Sequence, residues 1–233
     1  MTACKGRGQI DRMLRESFAR YKLIIFDMDG TFLDSRRFHA RLFYTFFQKH
    51  WHRISYERCY EAVGMTVDRL FETVGIPPDR YHEFYLLLDA HYDRESVPLI
   101  LMTKVVDGFH PFLQWLLAQG IRTALVTNSL SCVVKKIVEY HTLDSSFGDI
   151  MGAERDSADK LQRCLSLRNK YRLGSDEILL VGDMESDMAL ANEMGCDACF
   201  SKTGISWYKD SNYIEDVLKP KFVIHDYQEM LPL

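Results

Sequence analysis

Short apolar runs alternate with helical patterns along most of the chain. Three runs stand out, Leu23–Phe26, Ile121–Val126 and Glu177–Val181, and shorter ones follow at Phe147–Met151, Asp197–Phe200 and Phe222–Ile224. Hydrophobic residues at helical spacing lie between them, at Phe109–Gln119, Cys132–Tyr140, Lys160–Lys170 and Asp187–Met194, and Arg12–Tyr21 predicts a helix before the first run. The alternation predicts an α/β fold with a doubly wound parallel sheet and helices on both faces.

The segment 35–105 departs from this alternation, because helical patterns follow one another there. They cover Phe38–Lys49, Tyr56–Ala62, Asp68–Thr73 and Asp79–Tyr92, with a break at Gly75-Ile76-Pro77-Pro78. The pattern predicts a catalytic core of residues 1–34 and 106–233, and a smaller all-helical cap domain of residues 35–105 inserted after the first strand. Such a cap would lie over the carboxyl edge of the sheet, and its aromatic residues are expected to form its own core.

Two carboxylates stand two residues apart in Asp27-Met28-Asp29-Gly30-Thr31, directly after the first apolar run. Residues i and i+2 of a strand lie on the same side, so Asp27 and Asp29 could face one crevice. Ionised carboxylates at the edge of a core lose hydration, which is tolerated where a cation or a reaction needs them. An Asp-Gly turn that merely ends the strand is the alternative interpretation of these residues alone.

Polar groups also follow the other two long runs. Thr127-Asn128-Ser129 follows the second, and Gly182-Asp183-Met184-Glu185-Ser186-Asp187 follows the third, while Lys160 opens a helical pattern between them. Ligands bind at the carboxyl edge of open α/β sheets. Carboxylates, a hydroxyl and amide pair, and a lysine at one edge predict a site for a metal ion and an anion.

These motifs, in this order, resemble those of the haloacid dehalogenase superfamily of phosphotransferases. The resemblance covers roughly residues 22–230 and includes a D-x-D-G-T motif, a strand ending in Thr-Asn, a lysine at a helix start and G-D-x-x-x-D. Asp34-Ser35-x-x-x-His39 and Gly64-x-x-x-x-x-Leu70 resemble the helical-cap group of β-phosphoglucomutase and phosphoglycolate phosphatase. One departure is Lys160-Leu161, where many members have Lys-Pro.

The resemblance implies a role for each motif residue. Asp27 would be the nucleophile that forms an aspartyl-phosphate, and Asp29 the general acid and base, which a dry site would keep protonated when substrate binds. Mg²⁺ is the implied cofactor, held by the carboxylates of Asp27 and Asp183 and the backbone carbonyl of Asp29. Asp187 would be a further ligand or would contact one. Thr127, Asn128 and Lys160 would bind the phosphate, and Lys160 would also neutralise the nucleophile.

Substrate contacts are expected from the predicted cap. The candidates are His39, Met65, Thr66 and Arg69, each of which could equally be a packing residue. Arg36, Arg37 and Arg41 could meet a second anionic group of a substrate. The predicted function is Mg²⁺-dependent hydrolysis of the phosphate monoester of a small metabolite. A sugar-phosphate mutase using the same aspartyl-phosphate, or a non-catalytic binding protein on this fold, are the alternatives. The second acid, Asp29, weighs against a dehalogenase and against an ion-pump ATPase.

Composition limits the partners and the location. The 233 residues carry a formal net charge of −4, which argues against bulk binding to nucleic acid or an anionic membrane. A targeting segment and a membrane span are not apparent in the sequence, so a cytoplasmic monomer or homodimer is expected.

The six cysteines are scattered, which favours reduced thiols. Cys196-x-x-Cys199 could be a redox or zinc element, but it reads as a strand whose two thiols point to opposite faces.

Overall fold

The computed structural model describes residues 17–52, 54–154, 159–208 and 210–231. Its strands are Leu23–Phe26 (β1), Leu33–Asp34 (β2), Lys104–Val105 (β3), Arg122–Leu130 (β4), Asp149–Ala153 (β5), Ile178–Gly182 (β6), Asp197–Ser201 (β7) and Phe222–Ile224 (β8). Six of them form one sheet in the order β5-β4-β1-β6-β7-β8, and every neighbouring pair in it is parallel. The predicted parallel sheet is therefore confirmed, with β1 and its motif near the centre.

The α-helices are Arg36–His50 (α1), Tyr56–Ala62 (α2), Val67–Thr73 (α3), Tyr81–Leu99 (α4), Phe109–Ala118 (α5), Ser131–Tyr140 (α6), Lys160–Tyr171 (α7), Glu185–Met194 (α8) and Ser211–Tyr213 (α9). A π-helix, Ile214–Leu218, continues α9, and 3-10 turns lie at Pro78–Arg80, Ile100–Met102, Asp144–Ser146, Ser175–Glu177 and Tyr227–Met230. Residues 12–16, half of the predicted helix over Arg12–Tyr21, lie outside the described residues. None of the helices in the described ranges has the length and apolar character needed to span a bilayer.

Both faces of the sheet are covered by helices, as a doubly wound fold requires. Alternate residues of β1 enter two different apolar clusters: Ile24 and Phe26 pack with α5 and α6, while Leu23 and Ile25 pack with α7 and α8. The same alternation separates Cys199, which joins the first cluster, from Cys196, which packs against the second. Both are free thiols. The strand interpretation of this pair therefore fits the structure.

A helical insertion, α1 to α4, leaves and re-enters the sheet domain through a two-stranded ribbon. β2 and β3 pair antiparallel, with Leu33 opposite Val105 and Asp34 opposite Lys104. The insertion packs on its own aromatic residues, where the ring of Phe84 contacts the rings of Phe46 and Phe71 edge to face. The ribbon lies at the boundary predicted between core and cap. The division into a core of 1–34 and 106–233 and a cap of 35–105 stays a prediction.

One element differs from its predicted bounds in a way that matters for the site. β4 was expected to end at Val126, but it continues to Leu130, with an irregular register to β5 between those two residues. Leu130 pairs with Ala153, so the extension lengthens the sheet towards the insertion. Thr127, Asn128 and Ser129 therefore lie within a strand rather than after it.

Candidate active site

Three of the predicted metal ligands lie together at the carboxyl edge of the sheet. Asp27 follows β1, Asp183 follows β6, and Asp187 lies in the first turn of α8. One carboxylate oxygen from each lies within 4.8 Å of the other two, and all three residues are buried. Hard carboxylate oxygens are the ligands that Mg²⁺ prefers. The donor set therefore fits the implied cation.

Lys160 lies between two of these carboxylates. Its Nζ donates to Asp27 Oδ1 at 2.6 Å and to Asp187 Oδ1 at 2.7 Å. Asp159 caps α7 by accepting from the Gln162 N–H, which fixes the helix start that carries Lys160. Burial lowers the pKa of Lys160, but Asp187 and Asp27 outweigh it, so the net pKa is raised. Lys160 is accordingly a charged partner of both acids.

Asp27 and Asp183 have raised pKa values, since both are buried among other carboxylates. Burial raises the pKa of Asp27 to about 7 against the lowering effect of Lys160. Burial, then Asp187 and Asp27, hold the pKa of Asp183 well above its ordinary value. The Trp207 backbone N–H donates to Asp183 Oδ2 at 2.6 Å and the Thr31 hydroxyl donates to Oδ1 at 3.2 Å. A divalent cation would relieve this crowding of negative charge.

Asp29 is held by three side chains. Ser35 Oγ donates to Oδ1 at 2.5 Å, His39 Nε2 lies 3.1 Å from the same oxygen, and Ser129 Oγ donates to Oδ2 at 2.5 Å. Burial raises the pKa of Asp29, but the charge and hydrogen bonds of these neighbours, His39 foremost, lower it below its ordinary value. These hydrogen-bonding partners favour the carboxylate form of Asp29. The expectation that a dry site keeps Asp29 protonated when substrate binds stays a prediction.

The predicted phosphate-binding pair lies on β4, where Arg163 fixes the backbone. Thr127 is buried and Asn128 exposed, and both line the cavity described below. The Arg163 guanidinium donates to the Thr127 carbonyl and to Asn128 Oδ1, at 3.1 Å each, and to the Gly152 carbonyl at 2.9 Å. Arg163 therefore joins β4 to β5 at the point where their register becomes irregular.

A cavity of about 770 Å³ lies between this sheet edge and the helical insertion. Asp27, Asp29, Lys160 and Asp187 line it, and so do three of the candidate substrate residues, His39, Met65 and Thr66. Arg69, the fourth candidate, does not belong to the described lining. It is exposed on α3, and its backbone N–H donates to the Thr66 side chain that caps that helix. The placement of Arg69 therefore favours a surface residue.

Several residues of the site were not singled out from the sequence: Thr31, Ser35, Tyr92, Ser129, Arg163 and Trp207. Thr31, Ser35 and Ser129 stand within or beside the quoted motifs, so their neighbours could have identified them. Tyr92 contacts His39 Nδ1 at 3.1 Å, 53 positions away, and Trp207 contacts Asp183 across 24 positions. Contacts between positions so far apart leave no local pattern in a single sequence.

Comparisons with known proteins agree with these motifs. A family model described as haloacid dehalogenase-like hydrolase matches residues 24–200. A phosphoglycolate phosphatase of Aliivibrio fischeri is 28% identical over 192 residues, covering 77% of this chain and 83% of that protein. One from Aquifex aeolicus is 26% identical over 191 residues, covering 78% and 85%. The solved structure of a haloacid dehalogenase-like family hydrolase from Streptococcus pneumoniae, 16% identical, matches with a TM-score of 0.76 over 90% of this chain and 96% of that one. At that identity, the structural match shows the fold alone.

Proposed function

The chain belongs to the haloacid dehalogenase-like hydrolase family, and from that premise we propose that it is a Mg²⁺-dependent phosphatase. Its substrate would be the phosphate monoester of a small metabolite, and its intermediate an aspartyl-phosphate on Asp27. The observation that carries the proposal is the position of Lys160 Nζ, 2.6 Å from Asp27 and 2.7 Å from Asp187. A nucleophilic carboxylate beside a fixed cation is what attack on an anionic phosphate requires.

In the first step, a carboxylate oxygen of Asp27 attacks phosphorus and the bond from phosphorus to the alcohol oxygen breaks. Asp29 takes up a proton from water when substrate binds and gives it to the departing oxygen, so that an alcohol leaves. Thr127, Asn128 and Lys160 hold the phosphoryl oxygens. When bound by Asp27, Asp183, the Asp29 carbonyl and Asp187, Mg²⁺ supplies positive charge that offsets the charge of the phosphoryl group.

In the second step, a water oxygen attacks phosphorus and the bond to Asp27 breaks, releasing inorganic phosphate. Asp29 accepts a proton from that water. Its lowered pKa suits this role, since the carboxylate is the form that accepts. The hydrogen bonds from Ser35 and Ser129 orient that carboxylate for both steps. Location in the cytoplasm, a monomeric or homodimeric state and the lack of nucleic-acid or membrane partners stay predictions from composition.

The test measures phosphate release from para-nitrophenyl phosphate with Mg²⁺ and with EDTA. We expect turnover that needs Mg²⁺ and that Asp27→Asn lowers by roughly 10⁴-fold or more, because the nucleophile is lost. Asp144→Asn, at an exposed position, is the matched control and should behave as the wild type. Acid-quenched wild-type protein should carry phosphate on Asp27. Turnover that survives in Asp27→Asn would contradict the mechanism.

A further inference from the structure

A buried arginine lies behind the strand that carries the predicted phosphate-binding pair. Arg163 is 8% exposed and stands on α7, three residues after Lys160. It does not belong to the described lining of the cavity, whereas Lys160, Thr127 and Asn128 do. Lys160 therefore reaches the site from within the cavity, and Arg163 reaches the wall of the cavity from behind.

The guanidinium of Arg163 donates to three oxygen atoms of this wall. Two belong to backbone carbonyls, that of Thr127 on β4 and that of Gly152 on β5, and the third is Oδ1 of the Asn128 side chain. A guanidinium presents its N–H donors in a rigid planar fork, so three bonds to it fix the positions of all three oxygens. The Asn128 side chain is therefore anchored to a buried group.

The chemistry of Arg163 decides which end of the Asn128 amide is left for a ligand. A guanidinium has donors and no acceptor, so the amide oxygen must be the end that faces it. The NH2 group is then the other end, and it makes no hydrogen bond within the part of the chain that the structure describes. Asn128 is exposed and lines the cavity, so this donor can meet a bound group there.

The backbone at Asn128 is turned in the same sense. The Thr127 carbonyl accepts from Arg163, and in a planar trans peptide the N–H that follows points in the opposite direction. The Asn128 N–H therefore points away from the guanidinium. This part of the wall is also tightly packed, because a Cβ on Gly152 would lie 2.8 Å from the Ser129 carbonyl oxygen.

We propose that Arg163 is a positioning residue for phosphate binding, which turns the NH2 group of Asn128 towards a phosphoryl oxygen. This deepens the proposed function and rests on it, because it concerns the phosphate site of the same reaction. The oxygens of a phosphate dianion only accept hydrogen bonds, so an Asn128 amide turned the other way would oppose them with its own oxygen. The hydrogen bond forms in the substrate complex and persists in the transition state, so Arg163 acts on KM rather than on kcat.

A double-mutant cycle of Arg163→Met and Asn128→Ala tests the proposal, with KM for para-nitrophenyl phosphate measured at saturating Mg²⁺. We expect each single variant to raise KM about tenfold, the effect of one lost hydrogen bond to a charged group, and to leave kcat within about twofold. Because Arg163 acts through Asn128, Arg163→Met should raise KM less than about threefold in the Asn128→Ala background. The inhibition constant of inorganic phosphate should rise in parallel with KM. An equal rise of KM in both backgrounds would overturn the proposal.

Asn128→Asp tests the direction of the amide without any change at Arg163. The variant keeps an oxygen for the guanidinium and replaces the NH2 group with a second carboxylate oxygen, which accepts and does not donate. We expect KM to rise at least threefold further than in Asn128→Ala, because an oxygen then faces the phosphoryl group. A KM no higher than that of Asn128→Ala would show that the NH2 group does not face the phosphate, and it would overturn the proposal.

Arg168→Met is the matched control for Arg163→Met. Arg168 lies on the same helix and donates to a backbone carbonyl, that of Met194, but it is not part of the described lining of the cavity. It should leave KM unchanged, and a rise equal to that of Arg163→Met would overturn the proposal. Wild-type protein that releases no phosphate would overturn the proposed function and this inference with it. Turnover with an unchanged KM in Arg163→Met would overturn this inference alone.

Discussion

His39 Nε2 lies 3.1 Å from Asp29 Oδ1, while its Nδ1 lies 3.1 Å from the Tyr92 hydroxyl. Asp29 belongs to the sheet edge, whereas His39 and Tyr92 lie on α1 and α4 of the insertion, and all three are buried. The insertion therefore does more than cover the site, because it supplies an imidazole that contacts the Asp29 carboxylate, the proposed acid and base.

Tyr92→Phe removes one hydroxyl and keeps the ring that packs beside His39. We expect kcat to fall about fivefold, the value of one ordinary hydrogen bond, with KM unchanged, because the hydroxyl that is lost contacts His39. His39→Ala should lower kcat by about 10²-fold, since Asp29 then loses its positioning partner. Steady-state kinetics with para-nitrophenyl phosphate measure both effects.

Tyr171→Phe is the matched control for Tyr92→Phe, since the Tyr171 hydroxyl also donates to a side chain, that of the half-buried Asp149, at 2.5 Å but away from the cavity. It should leave kcat unchanged. A rise in KM at constant kcat in Tyr92→Phe would show that Tyr92 contacts substrate instead of positioning His39.

Asp183→Asn should stabilise the metal-free protein while it abolishes the response to Mg²⁺. Burial and two neighbouring carboxylates hold the pKa of Asp183 well above its ordinary value, so its ionised form destabilises the fold at neutral pH. The asparagine oxygen can still accept from the Trp207 backbone N–H, and its NH2 group can donate to the Thr31 hydroxyl. We expect the free energy of unfolding in EDTA to rise by about 1 kcal/mol or more.

Thermal unfolding with EDTA measures the stability of the metal-free protein, and thermal unfolding with excess Mg²⁺ measures the response to the cation. Wild type and Asp144→Asn should gain stability with Mg²⁺ by ligand linkage, and Asp183→Asn should not. An Asp183→Asn protein that still gains stability with Mg²⁺ would place the metal ligands elsewhere.

The fold could be predicted from the sequence because its signals are local. Leu23 to Phe26 forms a strand with both faces buried, and such a strand reads as a continuous apolar run. The carboxyl end of β4 was harder to predict. Its last residues, Thr127 to Leu130, are polar or half-exposed, and their extended backbone depends on pairing between Leu130 and Ala153. A long-range pairing of that kind has no marker in the strand itself.

Lys160→Met should lower the free energy of unfolding of the metal-free protein, whereas Asp183→Asn should raise it. Lys160 is the partner of Asp27 and Asp187, and removing one member of a buried ion pair typically costs about 3–5 kcal/mol. We expect kcat to fall by about 10²–10³-fold, because charge near the phosphoryl oxygens is lost. Urea unfolding in EDTA and single-turnover phosphate release measure the two effects. Unchanged stability in EDTA would mean that the two ion pairs contribute nothing to the fold.

Asp197→Asn should destabilise the protein at neutral pH but not in acid. Burial raises the pKa of Asp197, but hydrogen bonds and charges of Lys221, Tyr21 and Arg20 outweigh it and hold the pKa below the ordinary 3.8. The ionised Asp197 adds about 1 kcal/mol to the free energy of unfolding, a small amount because the group is half-exposed. This contribution is complete above pH 3.8 and is lost as the pH falls through the lowered pKa. Unfolding curves of both proteins across this range measure the difference. A difference that stays constant with pH would contradict the assignment.

The charged residues of the site could be predicted from the sequence, whereas the residues that hold them in place were missed. Asp27, Asp183 and Lys160 stand at strand ends and a helix start, where their chemistry is conspicuous, and the structure brings them together. The pKa of Asp29 could not be predicted, since its direction depends on His39 and on Ser129, which is 100 positions away. Burial alone would raise the pKa of Asp29, whereas its neighbours lower it.

Gly30→Ala should lower both stability and turnover, whereas Gly75→Ala should lower stability alone. The two glycines have nearly the same left-handed backbone, with φ of +78° and +77°, which costs a non-glycine residue about 1–2 kcal/mol. Their surroundings differ, because a Cβ on Gly30 would lie 2.3 Å from Asp183 Oδ2, and one on Gly75 would meet nothing within 4 Å. The Asp183 carboxylate, a predicted metal ligand, must therefore move in Gly30→Ala.

We expect the Mg²⁺ concentration for half-maximal activity to rise in Gly30→Ala and to stay at the wild-type value in Gly75→Ala. Equal metal requirements in the two variants would show that the close approach of Gly30 to Asp183 has no part in binding the cation.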